Sequence, residues 1–99
     1  MKVKTVRLRE DRALEIEEIA RKEGKQVSEV LREILEKGLR EYKIEKAIER
    51  YQRGIISQGA AAEEAELTIQ EFHQELKKRG FVIRMDAKLI ETELKDLWS

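Results

Sequence analysis

The chain has 99 residues, enough for one domain or two very small ones, and its 21 basic and 21 acidic side chains give zero formal net charge. A zero net charge does not exclude nucleic-acid binding, because basic side chains can still cluster, but the absence of cysteine excludes disulfides and thiolate metal sites. No apolar run has the length of a signal peptide or a membrane span, so we expect a cytoplasmic protein.

A short stretch of alternating residues, Val3–Arg9, predicts a β-strand before the first helix. One face of this strand carries the apolar Val6 and Leu8. The opposite face is polar and basic, and its members are Val3, Thr5, Arg7 and Arg9. Four of the first nine residues are basic and none is acidic. A strand needs a neighbour for its backbone N–H and C=O groups, and no second strand is evident early in the chain.

Apolar residues at helical spacing follow, with Asp11 predicted as the N-cap of a helix over Arg12–Glu23. Gly24 fits the position after that helix, where a residue in the left-handed conformation often ends it. A second helix is predicted from about Val27. Its apolar stripe consists of Val30, Leu31, Ile34, Leu35, Leu39 and Tyr42.

The order strand, helix, tight turn, helix resembles the ribbon-helix-helix (MetJ/Arc/CopG-like) family of DNA-binding proteins over roughly the first 42 residues. The matching stretches are V-R-L before the first helix, I-E-E-I-A-R-K-E-G at its end, and V-S-E-V-L-R-E-I-L in the second. The resemblance implies a homodimer in which the strands of two copies pair as an antiparallel ribbon and four helices share one core. The implied dimer-core residues are Val6, Leu8, Ile16, Ile19, Val30, Leu31, Ile34 and Leu35.

In this family the ribbon lies in the major groove of double-stranded DNA, which is wide enough to admit two strands. The resemblance implies base contacts by the outward residues Val3, Thr5 and Arg7, with Arg7 donating to guanine O6 and N7. The start of the second helix would bind a backbone phosphate through Lys25, Val27 and Ser28. The alternative for this half is an ordinary helical protein whose edge strand carries solvated charges.

Residues 45–85 predict a small helix-turn-helix-like bundle. Ser57 is the predicted N-cap of a short helix, and Thr68 caps the next one, with Glu71 completing a capping box. The residues predicted to face inward are Ala61, Ala62, Ala65, Phe72 and Leu76.

The stretch from Ala47 to about Asp86 resembles small antitoxin-like proteins found beside PIN-domain (VapBC-type) toxins, through A-I-E-R-Y-Q-R-G-I-I-S-Q-G-A-A-A-E-E-A and L-T-I-Q-E-F. Members usually have glycine in the turn, where this chain has Glu66. Between Gly54 and Leu76 there are five glutamates and no Lys or Arg, so this surface would repel phosphates. We therefore expect it to serve dimerisation or to bind a protein partner. If it does bind DNA, the candidate base contacts are Thr68, Gln70 and Gln74.

The tail, residues 86–99, predicts an amphipathic helix that would either bind a partner such as a toxin or pack against the chain's own core. Its possible partner-binding residues are Leu89, Ile90, Leu94, Leu97 and Trp98. His73 is the only histidine and is predicted to be a surface or a helix-packing residue rather than a metal ligand. No nucleophile–base pair or glycine-rich phosphate loop is evident, so we expect neither an enzyme nor a cofactor.

Together these patterns predict a mainly α-helical protein with modules at residues 1–44, 45–85 and 86–99. We expect a sequence-specific transcriptional regulator that acts as the autorepressing antitoxin of a PIN-type ribonuclease toxin. Two alternatives stay open at this point. One is a free-standing transcription factor that uses both motifs on DNA, and the other is a helical interaction protein that binds no DNA.

Overall fold

In a computed structural model of the chain, residues 1–81 are described, and this part of the chain contains four α-helices and no strand. The mainly α-helical class is therefore confirmed. The chain divides into two compact units, unit 1 from Met1 to Leu39 and unit 2 from Arg40 onwards. Across residues 1–81, no helix combines the length and the apolarity that crossing a membrane requires. The helices are α1 (Glu10–Glu23), α2 (Val27–Gln52), α3 (Gln58–Glu64) and α4 (Ile69–Lys78).

Residues 1–9 form neither helix nor strand in this single chain, so the strand predicted for Val3–Arg9 is not seen. The physical reason is that a strand requires hydrogen bonds to a neighbouring strand, and residues 1–81 contain no second strand to supply them. The backbone at Arg9 is nonetheless extended, with φ −63° and ψ 148°. Pairing of this segment with the same segment of a second copy stays a prediction.

Helix α1 begins at Glu10 with Arg9 as its N-cap, so the predicted N-cap at Asp11 is wrong. Glu10 and Asp11 both lie in the first turn, where carboxylates face the unpaired N–H groups at the positive end of the helix dipole. Asp is common both at the N-cap and in the first turn of a helix. The sequence pattern alone therefore did not fix the residue at which α1 begins. Gly24 ends the helix as predicted, in the left-handed conformation with φ 66°, and its N–H donates to Arg21 O at 3.3 Å.

Unit 1 buries little apolar surface, since Ala20 and Val30 are its buried apolar residues. Ile16 and Leu31 are half-buried. The other predicted dimer-core residues are exposed, namely Val6, Leu8, Ile19, Ile34 and Leu35. A unit below about 40 residues rarely buries enough surface to be stable alone. The single chain therefore leaves most of the predicted dimer core uncovered.

Unit 2 has a continuous core built from the second half of α2 together with α3 and α4. Tyr51, Phe72 and Leu76 are completely buried, and the Tyr51 and Phe72 rings meet edge to face with centroids 5.7 Å apart. Helix α2 runs without a break to Gln52, so its apolar stripe continues into this core. The remaining core residues are Ile44, Ala47, Ile48, Ala61, Ala62 and Ala65. The inward-facing residues predicted for this half are thus confirmed.

Two predicted caps hold the N-termini of α3 and α4. Ser57 Oγ accepts a hydrogen bond from the Ala60 N–H at 3.2 Å. In the capping box, Thr68 Oγ1 accepts from the Glu71 N–H at 3.1 Å, and Glu71 Oε1 accepts from the Thr68 N–H at 2.9 Å. The turn before this box places Glu66 at φ 58°, a left-handed conformation in which glycine is usual. The predicted pair of short capped helices joined by a turn is therefore confirmed.

Candidate nucleic-acid interface

The first nine residues present basic side chains to solvent. Lys2, Lys4 and Arg7 are exposed, and none of them forms an ion pair with another residue of the described range 1–81. Val3 and Thr5, the other predicted base-contact residues, are exposed as well. Arg9, by contrast, lies 3.6 Å from the Asp11 carboxylate. The segment therefore carries three cations that no carboxylate within this range neutralises, next to side chains able to contact bases.

At the start of α2, two backbone N–H groups have no acceptor among residues 1–81. Gln26 O accepts from the Glu29 N–H at 3.1 Å and from the Val30 N–H at 3.2 Å. The N–H groups of Val27 and Ser28 lie in the first turn of the helix, where no preceding turn supplies a carbonyl acceptor. They donate to no residue of the described part. N–H groups at a helix N-terminus suit an anionic oxygen. Phosphate binding by Val27 and Ser28 stays a prediction.

Lys25, the predicted phosphate-binding side chain, is already occupied by carboxylates. Its Nζ lies 2.8 Å from Glu33 Oε1 and 3.6 Å from Glu23 Oε2. The hydrogen bond to Glu33 is the main cause that raises the pKa of Lys25, and the same bond lowers the pKa of Glu33. Sequence reasoning missed this pair, because residues 25 and 33 belong to different elements and are not joined by helical spacing.

Unit 2 neutralises several of its basic groups internally. Lys43 Nζ lies 3.0 Å from Glu66 Oε1, and Arg50 Nη1 lies 2.9 Å from Glu64 Oε1. The N-terminus of α4 already holds the Glu71 carboxylate, and the hydrogen bond from the Thr68 N–H lowers the pKa of Glu71. A phosphate at this helix end would have to displace a bound carboxylate. These contacts add to the acidic sequence in disfavouring DNA binding by unit 2.

The reserve base-contact residues of unit 2 are Thr68, Gln70 and Gln74, and all three are exposed. The Thr68 hydroxyl already accepts a hydrogen bond in the capping box, so it is committed to holding α4. Gln70 and Gln74 lie on the same helix as the acidic Glu71 and Glu75. The structure thus leaves the two amides exposed on a helix that carries both glutamates and, in its last turn, Lys77 and Lys78.

Arg79 ties the end of α4 to α2 within unit 2. Its Nη1 and Nη2 lie 2.6 and 2.8 Å from the two oxygens of Glu41, and its Nε donates to Glu75 Oε2 at 3.1 Å. Glu41 is the main cause that raises the pKa of Arg79, and Arg79 lowers the pKa of Glu41. Planar two-point contacts of this kind are the strongest arginine–carboxylate geometry. The pattern of the sequence did not indicate this clamp, since its members are far apart along the chain.

His73 belongs to a chain of side chains in the core of unit 2. His73 Nε2 is hydrogen-bonded to Gln58 Oε1, and Gln58 Nε2 donates to Tyr51 Oη at 3.0 Å. Gln58 is buried and His73 is half-buried, so the imidazole packs between helices, as predicted. Within the described range, no three His, Asp or Glu side chains are grouped as they would be around a metal ion.

A groove of about 310 Å³ lies on the surface of unit 2. Its lining residues are Glu45, Ile48, Glu49, Arg79 and Phe81. The apolar Ile48 and Phe81 lie among charged side chains, and Arg79 is held by the clamp described above. The predicted partner-binding residues Leu89, Ile90, Leu94, Leu97 and Trp98 lie outside the described residues.

Comparison with known proteins places the chain in a family. Residues 14–98 match the profile of the Uncharacterised protein family (UPF0175). A "UPF0175 protein" of Archaeoglobus fulgidus is 41% identical over 54 residues, which cover 54% of this chain and 62% of the relative. The matched region thus spans less than two thirds of that relative's length, and no solved structure gives a significant match. Because the family profile covers most of the sequence, the chain belongs to the UPF0175 family.

Proposed function

We propose that this protein is a sequence-specific DNA-binding transcriptional regulator whose N-terminal segment contacts the bases. The observation that carries the proposal is the charge of residues 1–9, where Lys2, Lys4 and Arg7 have no ion-pair partner within residues 1–81. Phosphate neutralisation by basic side chains supplies a large part of protein–DNA affinity. Cations without a carboxylate partner can bind phosphates directly, whereas Lys43 and Arg50 of unit 2 would first have to break their contacts with glutamates.

The proposed DNA-binding species is a homodimer with a ribbon-helix-helix arrangement. In unit 1 the exposed apolar residues include Val6 and Leu8 beside the basic segment and Ile34 and Leu35 on α2. A second copy would cover these side chains, and its N-terminal segment would supply the backbone hydrogen bonds that one chain lacks. Residues 1–9 of two copies would then form an antiparallel ribbon of the width that the major groove admits.

Within that ribbon, Arg7 is the main candidate for base recognition. Its guanidinium donates to O6 and N7 of one guanine, while Thr5 donates or accepts and Val3 contacts a thymine methyl group. Phosphate contacts would come from Lys25 and from the N–H groups of Val27 and Ser28. In the proposed complex, the base-contacting and phosphate-contacting residues of both copies face the DNA on one side of the dimer.

The test is the affinity of the full chain for the DNA upstream of its gene, measured against salt concentration. Arg7→Ala should weaken specific binding by about 1–3 kcal/mol and relax the base preference at one position of each half-site. Arg53→Ala is the matched control, because Arg53 is exposed in unit 2 and pairs only loosely with Glu49 at 3.8 Å. A dimer that binds no DNA in a salt-dependent way, or equal losses in both variants, would refute the proposal.

We further propose that unit 2 serves a protein partner, namely a PIN-domain ribonuclease toxin, so that the protein is an autorepressing antitoxin. The support is the resemblance of residues 47–86 to antitoxin-like proteins, together with an α4 N-terminus that is already filled by Glu71. The partner-binding segment would be residues 86–99, with Leu89, Ile90, Leu94, Leu97 and Trp98 on its apolar face.

This partner is tested by co-purification with a PIN-domain protein encoded beside the gene. The chain without residues 86–99 should keep its DNA affinity and lose the PIN-domain protein. Unchanged capture by the shortened chain would remove the tail from the interface. If the full chain binds neither DNA nor such a protein, a helical interaction protein of another kind becomes the better description.

A further inference from the structure

We propose that Glu33 competes with the DNA phosphate for Lys25 and so lowers the affinity of the protein for DNA, an inference that rests on the proposed function. The carboxylate and a phosphate oxygen are alternative acceptors for the same ammonium group. Glu33 would therefore act as a residue that sets affinity without touching a base.

The geometry shows how Lys25 is held. The backbone N–H of Lys25 donates to Ala20 O at 2.9 Å, so the residue is anchored in the turn that ends α1. Its Nζ lies 2.8 Å from Oε1 of Glu33, on α2, and 3.6 Å from Oε2 of Glu23, at the end of α1. The ammonium is thus directed at two carboxylates of unit 1.

The exposure of the pair makes an exchange of partners feasible. The Lys25 side chain is 36% exposed and the Glu33 side chain 48%, so water and dissolved anions reach the contact. Exposed ion pairs contribute little to stability because solvent and salt screen them. A phosphate bound at the N-terminus of α2 would also accept from the N–H groups of Val27 and Ser28, which gives it partners that the Glu33 carboxylate lacks.

Protonation does not decide this competition. Glu33 raises the pKa of Lys25 and Lys25 lowers the pKa of Glu33, so both groups keep their charges through the neutral range. The exchange is therefore between two anions, and the salt concentration rather than the pH controls it.

The deciding experiment measures DNA affinity for Glu33→Gln in the full chain. Loss of the competing carboxylate should tighten binding by about two- to fivefold for each Lys25 that meets a phosphate, the range expected for an exposed ion pair. Glu36→Gln is the charge-matched control, since Glu36 lies on the same helix and has no ion pair with a described residue. It should change affinity much less.

A second background separates competition from a general charge effect. In Lys25→Ala, the further change Glu33→Gln should leave DNA affinity unchanged, because no ammonium remains to be released. An equal gain with and without Lys25, or weaker binding by Glu33→Gln, would overturn the inference. The proposed function itself fails differently, by absence of salt-dependent DNA binding in the unchanged chain and by indifference to Arg7→Ala.

Discussion

In its described residues, unit 2 buries nine apolar side chains in one core, whereas unit 1 buries two, Ala20 and Val30. Their charges differ in the same sense. Unit 2 pairs Lys43, Arg50 and Arg79 with its own glutamates. Unit 1 leaves Lys2, Lys4 and Arg7 without an ion pair within residues 1–81, whereas Arg9 pairs with Asp11 at 3.6 Å. It also exposes a row of apolar side chains on α2. Within the described residues, unit 2 covers an apolar core of its own, whereas unit 1 leaves most of its apolar side chains exposed.

The largest expected effect tests the self-sufficiency of unit 2. Phe72→Ala removes a completely buried ring that meets Tyr51 edge to face, and it should lower the free energy of unfolding by about 3–5 kcal/mol. Phe81→Ala, at a ring that is 44% exposed, is the control and should cost far less. Urea denaturation of both variants measures the difference. Similar decreases in the free energy of unfolding for the two variants would contradict the position of Phe72 in the core of unit 2.

The next prediction tests the incompleteness of unit 1. Leu35 is 66% exposed in the single chain, so Leu35→Ala should leave a monomer almost unaffected. If a second copy covers Leu35, the same change should weaken the dimer by about 2–5 kcal/mol for each buried leucine. Sedimentation equilibrium distinguishes the two results. Ile55→Ala, at a comparably exposed side chain of unit 2, should leave the association unchanged.

A smaller effect is expected from the local caps. Thr68→Ala removes the hydroxyl that accepts the Glu71 N–H at 3.1 Å, and should lower the free energy of unfolding by about 0.5–2 kcal/mol. Thermal unfolding followed by circular dichroism detects a change of this size. Thr5→Ala is the matched control, because Thr5 lies in the exposed N-terminal segment and should affect DNA binding rather than stability.

The smallest effect is a pH dependence. The pKa of Glu71 is lowered from 4.5, chiefly by the Thr68 N–H, so the folded state holds this proton less tightly than the unfolded state. The stabilisation is therefore fully present above about pH 4.5 and is lost as the pH falls through the lower folded-state pKa. In Glu71→Gln, the free energy of unfolding should fall less steeply as the pH is lowered below about 4.5. Glu63→Gln, at an exposed glutamate without an ion pair in residues 1–81, should not.

Features that depend on neighbouring residues were predictable from the sequence. Gly24 ends α1 and Ser57 and Thr68 cap α3 and α4 as expected, because each of these contacts joins residues a few positions apart. The start of α1 was misplaced since Glu10 and Asp11 suit its first turn equally well. Contacts between distant positions were not predictable. Lys43–Glu66 and Arg79–Glu41 depend on how α2 packs with the later helices, and the many glutamates offer each cation several partners.

Helix α2 shows most directly what the sequence determines and what it does not. The apolar residues from Val30 to Tyr42 were enough to predict a helix from about Val27, because a helix places residues three and four positions apart on one face. Leu35 and Ile48 follow that pattern equally well, yet Leu35 is 66% exposed and Ile48 only 3%. A periodic apolar pattern identifies side chains whose burial would lower the free energy. Burial itself requires a second apolar surface that packs against them. For Ile48 the chain supplies that surface from its own later helices, and tertiary structure alone decided this.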